Sequence, residues 1–115
     1  MKLFNVSDFA PVGSFEEQVM LAVVRTAPEA YGMNVRRELE KVTSRDVTIG
    51  SVYITLDRLE AKGLVASTRT AAHGASTARR VFSITALGAR ALAGTRAIRE
   101  RLWAGVELGR LLRNV

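Results

Sequence analysis

The chain has no cysteine. Disulfides, thiolate metal sites and cysteine nucleophiles are excluded together, which accords with a reducing interior. A single histidine, His73, leaves metal binding and general-base catalysis without the partners they need. Gly-rich phosphate loops, Gly-x-Ser-x-Gly and His-Glu-x-x-His are all missing, so neither an enzyme nor a cofactor is expected. The longest apolar run, Val19–Val24, falls far short of the roughly 20 residues that span a bilayer. The start, Met1–Phe4 with Lys2, lacks the apolar stretch and cleavage site of a signal peptide. The expectation is a cytoplasmic protein with no membrane partner.

Acidic residues are missing from one contiguous third. Between Ala61 and Arg99 there is no Asp or Glu, while Lys62, Arg69, Arg79, Arg80, Arg90, Arg96 and Arg99 are all present. The rest carries ten basic residues against eleven acidic, so the net charge of +6 resides in that third. Such a local positive field attracts polyanions, although an arginine-rich surface can also be merely solvated.

What is present is a normal globular balance, with 48% apolar and 24% charged residues in 115 positions, which suits one domain. Residues 1–13 have no period and hold Pro11 and Gly13, reading as an N-terminal extension. Ser14-Phe15-Glu16-Glu17 reads as a capping box opening a helix over Phe15–Thr26. Val19, Met20, Leu21, Ala22, Val23 and Val24 make that helix apolar on most faces, and predict it at the centre of the core. In a second helix, Gly32–Val42, Tyr31, Val35, Leu39 and Val42 form one stripe. A third, Ile49–Lys62, buries Ile49, Val52, Leu56 and Leu59, with Gly63 as its left-handed cap.

The opposite face of the third helix carries Ser51, Ile54, Thr55, Arg58 and Lys62. Small polar groups near a helix start, with cations later, suit end-on entry into the major groove; a plain solvated face is the alternative. Leu64–Thr70 and Arg79–Ile84 then read as strands around a loose tip, Ala71–Ala78. The pair forms a wing whose Arg69, Arg79 and Arg80 are expected on phosphates. His73 lies in the tip and reads as a bystander.

A long final helix is predicted over Thr85–Leu112, with Thr85 as N-cap. Ala91, Thr95, Ile98, Leu102, Gly105, Gly109 and Leu112 alternate by four and three like a coiled-coil seam, widened by Val106 and edged by Trp103. A helix of that length overhangs so small a body, so a two-fold homodimer is the simplest closure. Folding back onto its own domain stays open for Thr85–Leu92. The fold class is therefore mainly α with a small β-hairpin: a winged helix-turn-helix over residues 14–84 and a C-terminal dimerisation helix over 85–115.

Four segments in order resemble PadR-family transcriptional regulators. They are Gly13–Val23, Ala30-Tyr31-Gly32 with Val35–Leu39, Thr48–Val65, and Arg80–Gly88, the third being the most specific. The similarity is to the short branch, with one helix after the wing. It implies a dimeric repressor on a roughly palindromic double-stranded operator, read through Thr48–Leu64. Tyr31, Arg36 and Tyr53 join the DNA-facing set by that resemblance, Tyr53 having core-edge packing as its alternative. This chain has Ile54 where many relatives carry Pro, and Ala75-Ser76-Thr77-Ala78 where they have a Gly-Arg-rich tip. Some small members resembling this one bind planar hydrophobic molecules, which makes Trp103 a candidate ligand contact as well as an interface residue. A winged-helix module that binds protein instead of DNA is the other alternative.

Overall fold

The computed structural model describes residues 11–71 and 78–113. The elements run α1 (Ser14–Thr26), α2 (Gly32–Thr43), α3 (Ile49–Ala61), β1 (Val65–Ala71), β2 (Ala78–Ile84), α4 (Ala86–Trp103) and α5 (Leu108–Leu112). Three helices, a two-stranded antiparallel hairpin and a further helix make a winged helix. The wing tip with His73, and most of the N-terminal extension, lie outside the described residues.

Helix α1 begins one residue earlier than the sequence pattern suggests. Gly13, not Ser14, is the N-cap, and its N–H donates to Glu16 Oε1 at 3.1 Å. This register gives Glu16 a second partner, Lys62 Nζ at 2.9 Å, and lets Glu17 meet Arg99 at 2.6 Å. Val19, Met20, Ala22 and Val23 are buried, but Leu21 and Val24 are exposed, as is Val42 of α2. The neighbouring elements cover only one side of α1, so the expectation of burial on most faces is corrected.

Helix α3 is closed at both ends by its own sequence. The Thr48 hydroxyl accepts from Ser51 N–H at 3.1 Å. At the other end Gly63, at φ +76, lets its N–H reach Glu60 O and that of Leu64 reach Leu59 O, both at 2.9 Å. Only glycine takes that backbone without strain, and the paired bonds satisfy carbonyls the helix leaves free. Val52, Leu56 and Leu59 are fully buried, and Ile49 is half-buried.

The hairpin pairs Val65 with Ile84, Ser67 with Phe82 and Arg69 with Arg80. A third backbone segment joins it: Tyr31 bridges Val81, and Phe82 N–H donates to Ala30 O at 3.0 Å. No period marks so short an addition. It pins the start of α2 to the wing, with Phe82 buried beneath.

Thr85 caps α4 by accepting from Gly88 N–H at 2.9 Å, and its hydroxyl also lies 2.7 Å from Gly63 O. The expected helix over Thr85–Leu112 is not continuous. It stops at Trp103, Gly105 turns at φ +78, and α5 comes after as a separate short helix. A glycine in the left-handed region ends the i→i−4 ladder, so the four-three pattern outruns the helix. The first two seam residues are also corrected. Ala91 (4% exposed) and Thr95 (6%) face this chain's own body, where Thr95 Oγ1 accepts from Val12 N–H at 3.1 Å. Beyond them Leu102, Trp103, Val106, Leu108, Leu111 and Leu112 are uncovered. The radius of gyration is 16.8 Å, against about 13 Å for a compact chain of this length. Among the described residues no helix is long and apolar enough to cross a membrane.

Candidate nucleic-acid interface

A cleft of about 480 Å³ opens between the start of α2, one side of α3 and the wing. Tyr31, Met33, Asn34, Arg37, Tyr53, Arg69, Ala78, Arg79 and Arg80 line it. Its floor depends on a missing side chain. A Cβ on Gly32 would lie 2.4 Å from Tyr53 Cζ and 2.5 Å from its hydroxyl, so the Tyr53 ring rests directly on the Gly32 backbone. Tyr31 carries the Arg79 guanidinium 4.9 Å above its ring, an arrangement that orients the cation over the aromatic face. Asn34 Nδ2 donates to Glu29 O at 2.8 Å, and its Oδ1 accepts from Arg37 Nη1 at 3.3 Å. Arg37, Arg69, Arg79 and Arg80 thus bring four guanidinium groups around two tyrosine rings, with no carboxylate among the described lining residues.

The expected DNA contacts divide. Tyr31, Tyr53, Arg69 and Arg79 come together in this cleft, and Ile54, next to Tyr53 in α3 but outside the lining, is 60% exposed. Thr55 does not belong with them. At 6% exposure it packs inside with Val52, Leu56 and Leu59, and cannot touch a base without unfolding its helix. The Ser51 hydroxyl donates to Thr48 O at 2.8 Å, so its proton is already used and only acceptor capacity remains. Lys62 lies on the α1 side, bound to Glu16, and Arg58 lies near enough to that carboxylate to act on it. The hydrogen bond from Lys62 is the main reason that the Glu16 carboxyl is held below its ordinary value of 4.5, burial opposing and Gly13 N–H assisting.

Arg36 was the expected α2 contact, but Arg37 is the one that lines the cleft. Arg36 is half-buried, 3.5 Å from Glu40 Oε1, with its Nε lacking a hydrogen-bond partner among the described residues. One residue is 100° of helical phase, and two adjacent arginines at a stripe edge do not reveal which faces the wing. Asn34 and Gly32 were missed as well; only the closeness of another ring explains the glycine.

Arg80 departs most from expectation. Its Nη1 meets Asp57 Oδ1 at 2.9 Å, its Nη2 meets Glu60 Oε1 at 2.6 Å, and its Nε donates to Ser67 Oγ at 3.4 Å. The guanidinium lies 4.8 Å from the Phe82 ring centre. Ser67, by hydrogen bond, and then Arg80 hold the Glu60 carboxyl below 4.5. Burial disfavours charge on Arg80, but the two carboxylates outweigh it and raise its pKa. An arginine with both faces of its fork committed is not a free phosphate ligand.

The comparisons with known proteins agree with this architecture. The model of the transcriptional regulator PadR-like family matches residues 20–94. The chain belongs to the PadR-like family of transcriptional regulators. A PadR-family regulator from Eggerthella lenta is similar at 30% identity and TM-score 0.64, over 82% of this chain and 80% of that one. H. salinarum RosR, in the hsRosR-S4 complex, superposes at TM-score 0.69 with 22% identity, over 96% of this chain and 90% of that one. A PadR-like regulator from Bacillus cereus gives TM-score 0.61 and 22% identity, over 87% and 88%. No curated protein matches the chain. The PadR match covers α2, α3, the wing and the first half of α4, and thus every element lining the cleft.

Proposed function

We propose that this PadR-like regulator is a homodimeric, sequence-specific repressor that binds a two-fold symmetric operator. The observation that carries it is the cleft in which Tyr53, seated on Gly32, stands among Arg37, Arg69 and Arg79, with Ile54 exposed next to it in the sequence of α3. The three arginines supply phosphate contacts that set register, and the exposed side of α3 at Ile54 supplies contact with base edges, such as a thymine methyl. Two copies pair through the outer side of α4 and the C-terminal segment beyond it, using Ile98, Leu102, Trp103, Val106, Gly109 and Leu112. In water the burial of several such side chains is worth roughly 1.5–3 kcal/mol each, which supports a partner for this end of the chain.

Selection of binding duplexes from a random pool, with footprinting over a salt series, tests the reading. The expected result is protection of a symmetric site with half-sites about 34 Å apart, or a multiple of that, and affinity that falls steeply with salt. Weak binding that ignores sequence refutes it, and would favour a protein-binding module instead.

A second reading has its own observation. Leu102, Trp103, Val106 and Leu108 line an open apolar depression of about 200 Å³. Ligand pockets start near 300 Å³, so this is half a site that a second copy completes, suited to a hydrophobic small-molecule effector. Quenching of Trp103 fluorescence by planar apolar compounds, coupled to release of DNA, is the expected signature; quenching without any change in DNA affinity removes the effector role.

A further inference from the structure

We infer that Arg80 is a positioning residue: a strut that sets the angle between the wing and α3, with Asp57 and Glu60 as its seat on the helix. The inference rests on the DNA-reading function proposed above and names the part of the machinery that gives it specificity.

The strut is explicit in the geometry. Arg80 sits on β2, Asp57 and Glu60 one helical turn apart on α3, and Ser67 on β1. The guanidinium bonds to both carboxylates, at 2.9 and 2.6 Å, while the Ser67 hydroxyl donates to Glu60 Oε2 at 2.8 Å. Both strands are therefore tied to the same side of the reading helix. The Phe82 ring, buried in the core, supports the guanidinium from below. A planar fork held by two carboxylates resists rotation in a way a point charge does not.

The pairing register supplies a second reason. Arg69 and Arg80 are direct partners across the hairpin. Like charges placed opposite each other weaken a strand pair. The carboxylates of α3 absorb one of the two, and leave Arg69 with Arg79 to meet phosphate. Phosphates recur along any duplex, so a wing that swings still finds one. Base-edge contacts from α3 do not survive such a swing, because their geometry is set to fractions of an ångström. Loss of the strut should therefore abolish discrimination while sparing general affinity.

The test compares wild type, Arg79→Gln, the charge-neutral pair Arg80→Gln/Glu60→Gln, and Arg80→Lys. Each binds the duplex selected by wild type and a scrambled duplex, over a salt series. Arg79→Gln should weaken both duplexes alike and reduce the log–log salt slope by about 0.9, the mark of one lost phosphate contact. The strut pair should lose at least about tenfold on the selected duplex, the scale of one lost base contact, with scrambled binding and slope unchanged. Arg80→Lys, reaching one carboxylate at a time, should fall between. Equal weakening on both duplexes with a slope reduced by about 0.9 would make Arg80 a phosphate ligand and overturn the inference. So would wild-type discrimination in the strut pair. Amide exchange of the β1 strand reports whether the hairpin persists. If it does not, the exposed Asp57→Asn decides: a reduced selected-to-scrambled ratio supports the strut, and an unchanged ratio refutes it. Failure of wild type itself to discriminate the two duplexes refutes the function, which is a separate outcome.

Discussion

Replacing Gly88 with alanine sets two physical effects against each other, and the structure says which wins. Gly88 is the third residue of α4, and alanine in place of glycine within a helix is favourable by up to about 1 kcal/mol. The added Cβ, however, would lie 2.0 Å from Leu64 O and 3.0 Å from Leu64 C, with Ile84 Cγ2 at 3.1 Å. Ordinary contact begins near 3.5 Å, so the helix or the Leu64 backbone must retreat by more than about 1 Å. Neither is a free end. Leu64 O accepts from Thr85 N–H at 3.2 Å, and Thr85 Oγ1 accepts from Gly88 N–H at 2.9 Å. Overpacking of this kind costs about 1–3 kcal/mol, and the strained cap and turn bonds add about 1 kcal/mol each when broken. After the helix gain, Gly88→Ala should destabilise by about 2–4 kcal/mol, a melting point lower by roughly 8–16 °C. Thermal unfolding monitored by circular dichroism at one fixed protein concentration measures it, since association shifts the midpoint. Gly50→Ala, in the first turn of α3 and away from the pairing surface, is the control, because its Cβ meets nothing within 4 Å and it should melt at or slightly above wild type. A Gly88→Ala protein that also melts at or above wild type would show that α4 yields, and would refute the close-approach argument.

Gly32→Ala acts on function more than on stability, because the atoms it meets belong to the Tyr53 side chain, which can rotate away. Its melting point should stay within a few degrees of wild type, about 1 kcal/mol, while affinity for the selected duplex falls; undiminished affinity would remove Tyr53 from the interface. Leu102→Glu places a charge on a side chain that is 73% exposed in the single chain, so the monomer should fold and light scattering should report its mass. A dimer that persists would place the pairing surface elsewhere. Glu16 is held below its ordinary 4.5, so its ion pair with Lys62 contributes stability above that pH and loses it as pH falls through the lower folded value. Glu16→Gln should thus melt below wild type at pH 7, by less than about 1 kcal/mol given the half-exposed lysine, and the two curves should converge below pH 4.5. A gap that persists unchanged in acid would assign the loss to packing.

Periodic features were legible in the sequence because each depends on neighbours within a turn or a strand pair. The stripe Val52, Leu56, Leu59, the cap at Thr85, the left-handed turn at Gly63 and the alternation around Phe82 are all of this local kind. So is the basic, acid-free third that points to a polyanion. The candidate interface was legible as a region but not residue by residue. Arg37 rather than Arg36 lines the cleft, and Thr55 faces inward, because a helix face is specified only to within one residue until its neighbours are placed.

By itself, then, the sequence determined three helices, a basic hairpin and a capped fourth helix, since hydrophobic period, capping chemistry and charge act over short distances. Tertiary structure decided what each charge and each small residue is for. Arg80 became a strut because residues 23 and 20 positions away, Asp57 and Glu60, close around it. Gly88 became obligatory because a backbone carbonyl from a distant segment occupies the space of a side chain, and Gly32 became the seat of the Tyr53 ring for the same lack of a Cβ. Ala91 and Thr95 turned from seam to core because α4 starts its course against its own domain before it leaves it. Each is a contact between segments brought together only by folding, and no local pattern records it.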